Sequence, residues 1–134
     1  MEEQTSAYRI LPASHGAGLS CAEVRATVSE VLAGLNTFRA RVDDVLTVAT
    51  EMISNASRHA GGATVFQITA RAGAVTVKVS DRSPDPPRIQ PWAPEVPGGF
   101  GWRLVNQLAT THVHVHLGGK TVTATLTTAA AGPA

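Results

Sequence analysis

Three groups of residues have the types and the spacing to do chemistry. The first is Glu51-Met52-Ile53-Ser54-Asn55-Ala56-Ser57-Arg58-His59-Ala60-Gly61-Gly62, the end of a helical pattern running into a glycine stop. At 3.6 residues per turn, Glu51, Asn55 and Arg58 fall within about 60° of one another, so a carboxylate, an amide and a cation share one face. The second is Asp81, the polar end of a row in which Val75, Val77 and Val79 point the same way. A carboxylate on the core side of a strand needs a partner, because burying a charge unpaired is costly. The third is Gly98-Gly99-Phe100-Gly101, which opens a helical pattern through Trp102, Leu104, Val105 and Leu108. Glycines at a helix N-terminus let backbone N–H groups approach an anion, and the helix dipole adds to the attraction. Taken singly, each group has a plainer meaning: a solvated helix face, the turn chemistry of Asp81-Arg82-Ser83-Pro84, or a glycine-rich turn.

The elements that must position these groups follow from periodicity. Ala7-Tyr8-Arg9-Ile10-Leu11 reads as a short strand before Pro12, and Ala13 to Gly18 as a linker. Ser20 with Glu23 three residues later has the form of a capping box, followed by Val24, Val28, Val31, Leu32 and Leu35 at helical spacing. That helix ends near Gly34-Leu35-Asn36. A second helix spans about Arg41 to His59, with Val45, Ala49, Met52, Ile53 and Ala56 as its apolar side. From Thr64 the period changes to two, giving strands over 64–71 and 75–81 joined at Ala72-Gly73-Ala74. Prolines at 84, 86, 87, 91, 94 and 97 make the segment from Ser83 to Pro97 an irregular loop of the kind that forms lids. Two last strands, about 112–117 and 120–127, meet at Gly118-Gly119. Alternation predicts Val113, Val115 and Leu117 toward the core, and His112, His114 and His116 together on the opposite face. Those imidazoles have metal-compatible spacing, although no Cys, Asp or Glu accompanies them.

Composition bounds the class. A chain of 134 residues, 43% hydrophobic and 16% charged, suits one globular domain, expected over 7–127 with disordered tails at 1–6 and 128–134. The net charge of +1 gives no broad basic field, so neither nucleic acid nor an anionic membrane is the expected partner. Cys21 is the single cysteine, reads as a small core residue, and fits a reducing cytoplasm. The acidic start Met1-Glu2-Glu3 is unlike a signal peptide, and no apolar run reaches the ~20 residues of a membrane span. The expected fold class is α+β, a two-layer sandwich with helices on one face of a mostly antiparallel mixed sheet.

The order Glu51-x-x-x-Asn55-x-x-x-His59-Ala60, then Asp81, then Gly98-Gly99-x-Gly101, resembles the Bergerat-type ATP-binding domain of gyrase, sensor histidine kinases and MutL. Within that group the chain is most similar to single-domain bacterial anti-sigma-factor serine/threonine kinases and their relatives. The resemblance implies ATP and Mg²⁺ as cofactors. It implies that Asn55 holds Mg²⁺ through its amide oxygen and that Asp81 accepts a hydrogen bond from the adenine amino group. Gly98, Gly99, Phe100 and Gly101 form the phosphate-side turn, Arg58 and His59 lie near the polyphosphate, and Ser83 lies under the base. Glu51 is then the general base, taking a proton from a serine or threonine hydroxyl of a partner protein, or from water in a hydrolase. The implied partner is a small antagonist protein, a sigma factor, or both; apart from the resemblance, Ile10, Leu11 and Val24 suit a homodimer seam as easily as a core. The chain also departs from the family's Asp-x-Gly-x-Gly box: Asp81-Arg82-Ser83-Pro84-Asp85 lacks both glycines, stiffens the backbone at Pro84 and sets Asp85 at the mouth of a phosphate site. Thr121, in the last strand, is turned from the core by alternation. The expected function is an ATP-binding regulator with kinase activity. The alternative is a module that sequesters a sigma factor or other regulator without catalysis; an assembly-coupled ATP hydrolase comes third, and a histidine-based metal protein fourth.

Overall fold

The computed structural model describes residues 6–14, 18–33, 41–71, 73–87 and 101–127. Among them the order of elements is β1 (Ala7–Pro12), α1 (Cys21–Ala33), α2 (Val42–His59), β2 (Ala63–Arg71), β3 (Ala74–Asp81), α3 (Gly101–Leu108), β4 (Thr110–His116) and β5 (Gly119–Thr127). Both expected tails except Ser6, the end expected for the first helix, and the loop beyond Pro87 lie outside the described residues.

Five strands form one sheet in the order β1-β2-β3-β5-β4. Every pairing is antiparallel, in a sheet expected to be mostly so. The reason is topological. The connection through α3 leaves β4 running parallel to β3, but the β4–β5 hairpin inserts β5 between them, so the two parallel strands never share hydrogen bonds. Period-two alternation then sorts the side chains. Phe66, Ile68, Ala70, Val75, Val77, Val79, Val122, Ala124 and Leu126 are buried on one face, against Val24, Val28, Val45, Val48, Met52 and Ile53 from the helices. The result is the expected α+β two-layer sandwich, with the helices on one face.

Local signals set the helix boundaries. The capping box at α1 forms as read: the Glu23 amide donates to Ser20 Oγ at 3.1 Å and the Ser20 amide donates to Glu23 Oε2 at 3.1 Å. Replacing Ser20 by alanine removes one half of this pair and should lower stability by about 1 kcal/mol, readable as a shifted urea midpoint at constant slope. Helix α2 has Asp43 and Asp44 in its first turn and Arg58 and His59 in its last, an arrangement the helix dipole favours. It stops where Gly61 takes φ +76° and the Gly62 amide bonds back to Ala56 O at 3.0 Å, the closure typical of a left-handed glycine after a helix. Arg41 ties the start of α2 to its neighbours, donating to Asp44 Oδ2 at 3.2 Å, Leu108 O at 3.1 Å and Thr127 O at 2.6 Å.

At the β4 edge the expectation fails in part. Val113 packs against the core, but Val115 is 50% exposed and Leu117 fully so. Leu117 lies not in a strand but in the turn between β4 and β5, and Val115 stands next to last on the edge strand β4. His112, His114 and His116 are exposed on the helix-free face, with His116 Nε2 3.1 Å from Thr121 Oγ1. No group of three or more His, Cys, Asp or Glu among the described residues is placed to hold a metal ion. The residues named for a dimer seam also separate: Val24 is fully buried, Leu11 packs on the core, and Ile10 is exposed.

Candidate functional site

A cavity of about 330 Å³ opens between α2 and the ends of β3 and β5. Three of the residues singled out in the sequence meet there: Asn55 and His59 from the polar face of α2, and Asp81 from the end of β3. Its apolar wall comes from Met52, Ala56, Val79 and Val122, the inward rows of the same elements, and Trp102 adds an aromatic side from α3. Asp85, Pro86 and Pro87 also line it, where the chain leaves β3.

A buried polar pair lines the cavity. Asp81 and Lys120 are cross-strand partners at the ends of β3 and β5, and Lys120 Nζ lies 3.0 Å from Asp81 Oδ1. Their side chains are only 3% and 6% exposed. The inward position of Asp81 demanded a partner, and the resemblance supplied the adenine amino group; the fold supplies Lys120 as well. Two further bonds hold the pair: the Ser83 amide donates to Asp81 Oδ1 at 2.9 Å, and Lys120 donates to Ser83 O at 3.2 Å. Ser83 thus acts here through its backbone, while its hydroxyl accepts from the Asp85 amide at 3.2 Å. Gly119 makes the close approach possible. At φ +143°, a Cβ on this residue would collide with Asp81 O and the Arg82 backbone, so only glycine lets the β4–β5 turn close against the end of β3. Lys120 was missed in the sequence, yet a signal was present: it shares parity with the buried Val122, Ala124 and Leu126.

Glu51 stands one turn before Asn55 on α2, half-buried, and is not part of the cavity wall. Its carboxylate lies against Gly101, the first residue of α3; a Cβ there would collide with Glu51 Oε1. A carboxylate therefore sits at a helix N-terminus, where the dipole favours negative charge. Arg58 is exposed and outside the cavity wall, so it is the sequence-predicted residue that the site gathers least. Gly98, Gly99 and Phe100 lie outside the described residues. Thr121 faces away, as alternation required, and shares a hydrogen bond of 2.9 Å with Ser80 Oγ.

The arrangement can take a flat, partly apolar ligand with a hydrogen-bonding edge at the Asp81–Lys120 end. A charged remainder would extend past Asn55 toward Glu51 and the start of α3. Its volume falls within the roughly 300–1,000 Å³ of small-molecule sites.

Residues 18–126 match the family model of the histidine kinase-like ATPase domain. No curated protein matches the chain. Among the described residues no helix is long and apolar enough to cross a membrane.

Proposed function

The chain belongs to the histidine kinase-like ATPase domain family, and from that premise we propose that it binds ATP with Mg²⁺ and acts as a protein serine/threonine kinase of the anti-sigma-factor type. The observation that carries this reading is the meeting of Asn55, His59 and Asp81 on one cavity with an apolar wall and a polar end. The donor set suits the group. A purine needs an apolar slot with a hydrogen-bonding edge, which Val79, Val122, Met52 and the Asp81–Lys120 end provide. Magnesium favours oxygen ligands and usually takes few from protein, the rest coming from phosphate and water. The amide oxygen of Asn55 suits that role. When bound, the ion would neutralise phosphate charge and orient the terminal phosphoryl group.

In this reading the chain's own residues divide the work. Asp81 accepts from the base, and the phosphates are assigned to the Gly98-Gly99-Phe100-Gly101 run, of which Gly101 is described. His59, with Arg58 beside it on the helix, contributes to their surroundings. Glu51 accepts the proton of the attacking hydroxyl, which a small antagonist protein would present in the cytoplasm. Regulation by sequestering a sigma factor or similar protein, without catalysis, is the second reading. One observation favours it: the Asp-x-Gly-x-Gly glycines are absent from 81–85.

Titration of the protein with ATP and Mg²⁺, followed by calorimetry, tests the nucleotide itself. Saturable binding is expected below about 1 mM, the upper end of ordinary KM values, with clear weakening when Mg²⁺ is chelated. A folded protein that takes up no ATP at that concentration would exclude both the kinase and the hydrolase and leave the non-catalytic module.

A further inference from the structure

We propose that Lys120 is a second base-reading residue, whose ammonium donates to ring N1 of adenine while Asp81 accepts from the 6-amino group. The proposal rests on the nucleotide reading above and deepens it: it assigns the second contact by which the site would select adenine, and the atoms that make it.

A lone carboxylate reads one position. Asp81 and Lys120, joined by their own bond from Nζ to Oδ1, present the second carboxylate oxygen as an acceptor beside an ammonium donor, in the cavity that both residues line. The Watson–Crick edge of a purine likewise presents two hydrogen-bonding positions side by side. In adenine these are the amino donor at position 6 and the acceptor N1, the complement of a carboxylate beside an ammonium. In guanine and hypoxanthine held the same way, O6 would face the carboxylate and N1–H would face the ammonium, so both contacts would be repulsive. A water molecule beside Asp81 could turn to suit either purine, because water both donates and accepts. An ammonium only donates, so Lys120 converts the N1 position into a strict requirement for an acceptor.

The bonding within the pair leaves room for this. Lys120 has three N–H donors and uses two acceptors among the described residues, Asp81 Oδ1 and Ser83 O. Both bonds to Asp81 from described residues fall on Oδ1. Each residue therefore keeps one group for a ligand without giving up its partner. The position is also held in place. The Gly119 turn closes directly on the Asp81 backbone, and the Asp81↔Lys120 register is set by the β3–β5 ladder, so the pair is placed by backbone and not by a flexible loop.

The test compares ATP with 1-deaza-ATP, in which N1 is replaced by C–H, and with 7-deaza-ATP as a control, by calorimetry on the wild-type protein and two variants. Wild type is expected to bind 1-deaza-ATP about ten- to a hundredfold more weakly than ATP, the range for one hydrogen bond to a charged group, and 7-deaza-ATP as well as ATP. Lys120→Met strands the Asp81 carboxylate and is liable to unfold. The double variant Asp81→Asn with Lys120→Met removes that charge, while the introduced amide keeps an acceptor oxygen for the adenine amino group. In it ATP and 1-deaza-ATP should bind alike. Equal binding of the two nucleotides by wild type would overturn the assignment of Lys120 while leaving nucleotide binding intact, as would an undiminished penalty for 1-deaza-ATP in the double variant. Tighter binding of GTP than ATP would overturn it too, since the pair would then read the edge in the opposite order. Failure of wild type to bind ATP at all would overturn the nucleotide reading and this assignment with it.

Discussion

Lys120→Met is expected to destabilise the protein by about 3 kcal/mol or more, because breaking a buried ion pair from one side leaves an uncompensated charge behind. Asp81 and Lys120 are 3% and 6% exposed and 3.0 Å apart. Without the ammonium, the Asp81 carboxylate would keep one described donor, the Ser83 amide, and Ser83 O would lose a donor as well. Methionine matches the length of the lysine stem, so the apolar part of the side chain is largely kept and the loss is chiefly electrostatic. The double variant Asp81→Asn/Lys120→Met should recover most of the loss, since replacing both members of a buried pair by neutral groups is often close to neutral. The measurement is urea unfolding of both variants, read at constant slope so that the midpoint reports stability. A loss below about 1 kcal/mol in the single variant would mean that the pair is worth no more than a solvated surface bridge.

The same pair shows what the sequence could and could not yield. Alternation identified Asp81 as the inward end of β3, and applied to β5 it puts Lys120 on the inward row with Val122, Ala124 and Leu126. Parity tells which face a residue takes, not which residue stands opposite. Here the partners are 39 positions apart, in strands that no hairpin joins. The insertion of β5 between β3 and β4 is a non-local choice, and it decides both the pairing of Asp81 with Lys120 and the absence of any parallel ladder. Local signals fared better. The Ser20–Glu23 capping box, the Gly61-Gly62 helix stop and the apolar side of α2 each depend on neighbours within one or two helical turns, and each is realised as read. Val115 and Leu117 failed for other reasons: Val115 is inward by parity but stands next to last on the edge strand, and Leu117 falls in the β4–β5 turn, where alternation no longer applies. The contact of Glu51 with Gly101 joins two candidate groups 50 residues apart, and nothing in either motif announces it.

That contact motivates the largest expected effect on activity. Glu51→Gln is expected to slow transfer of the terminal phosphoryl group of ATP, whether to a protein hydroxyl or to water, by ~10²–10⁴-fold, the usual contribution of a positioned general base. Glutamine keeps the size and the hydrogen-bonding reach of glutamate, so the close fit against Gly101 survives and only the proton acceptor is lost. ATP affinity should change by no more than about threefold, because the interaction removed belongs to the transition state. Gly101→Ala provides an independent approach to the same point. Its Cβ would collide with Glu51 Oε1 and push the carboxylate aside, so it should lower the rate without changing any charge. If the two substitutions act on one function, combining them should cost little more than the worse of the two, the non-additivity expected of groups that work as a unit. Single-turnover transfer of labelled phosphate, measured beside nucleotide binding, separates the outcomes. An unchanged rate in Glu51→Gln would remove Glu51 from the chemistry. Equal losses in rate and affinity would instead make it a structural support for the start of α3.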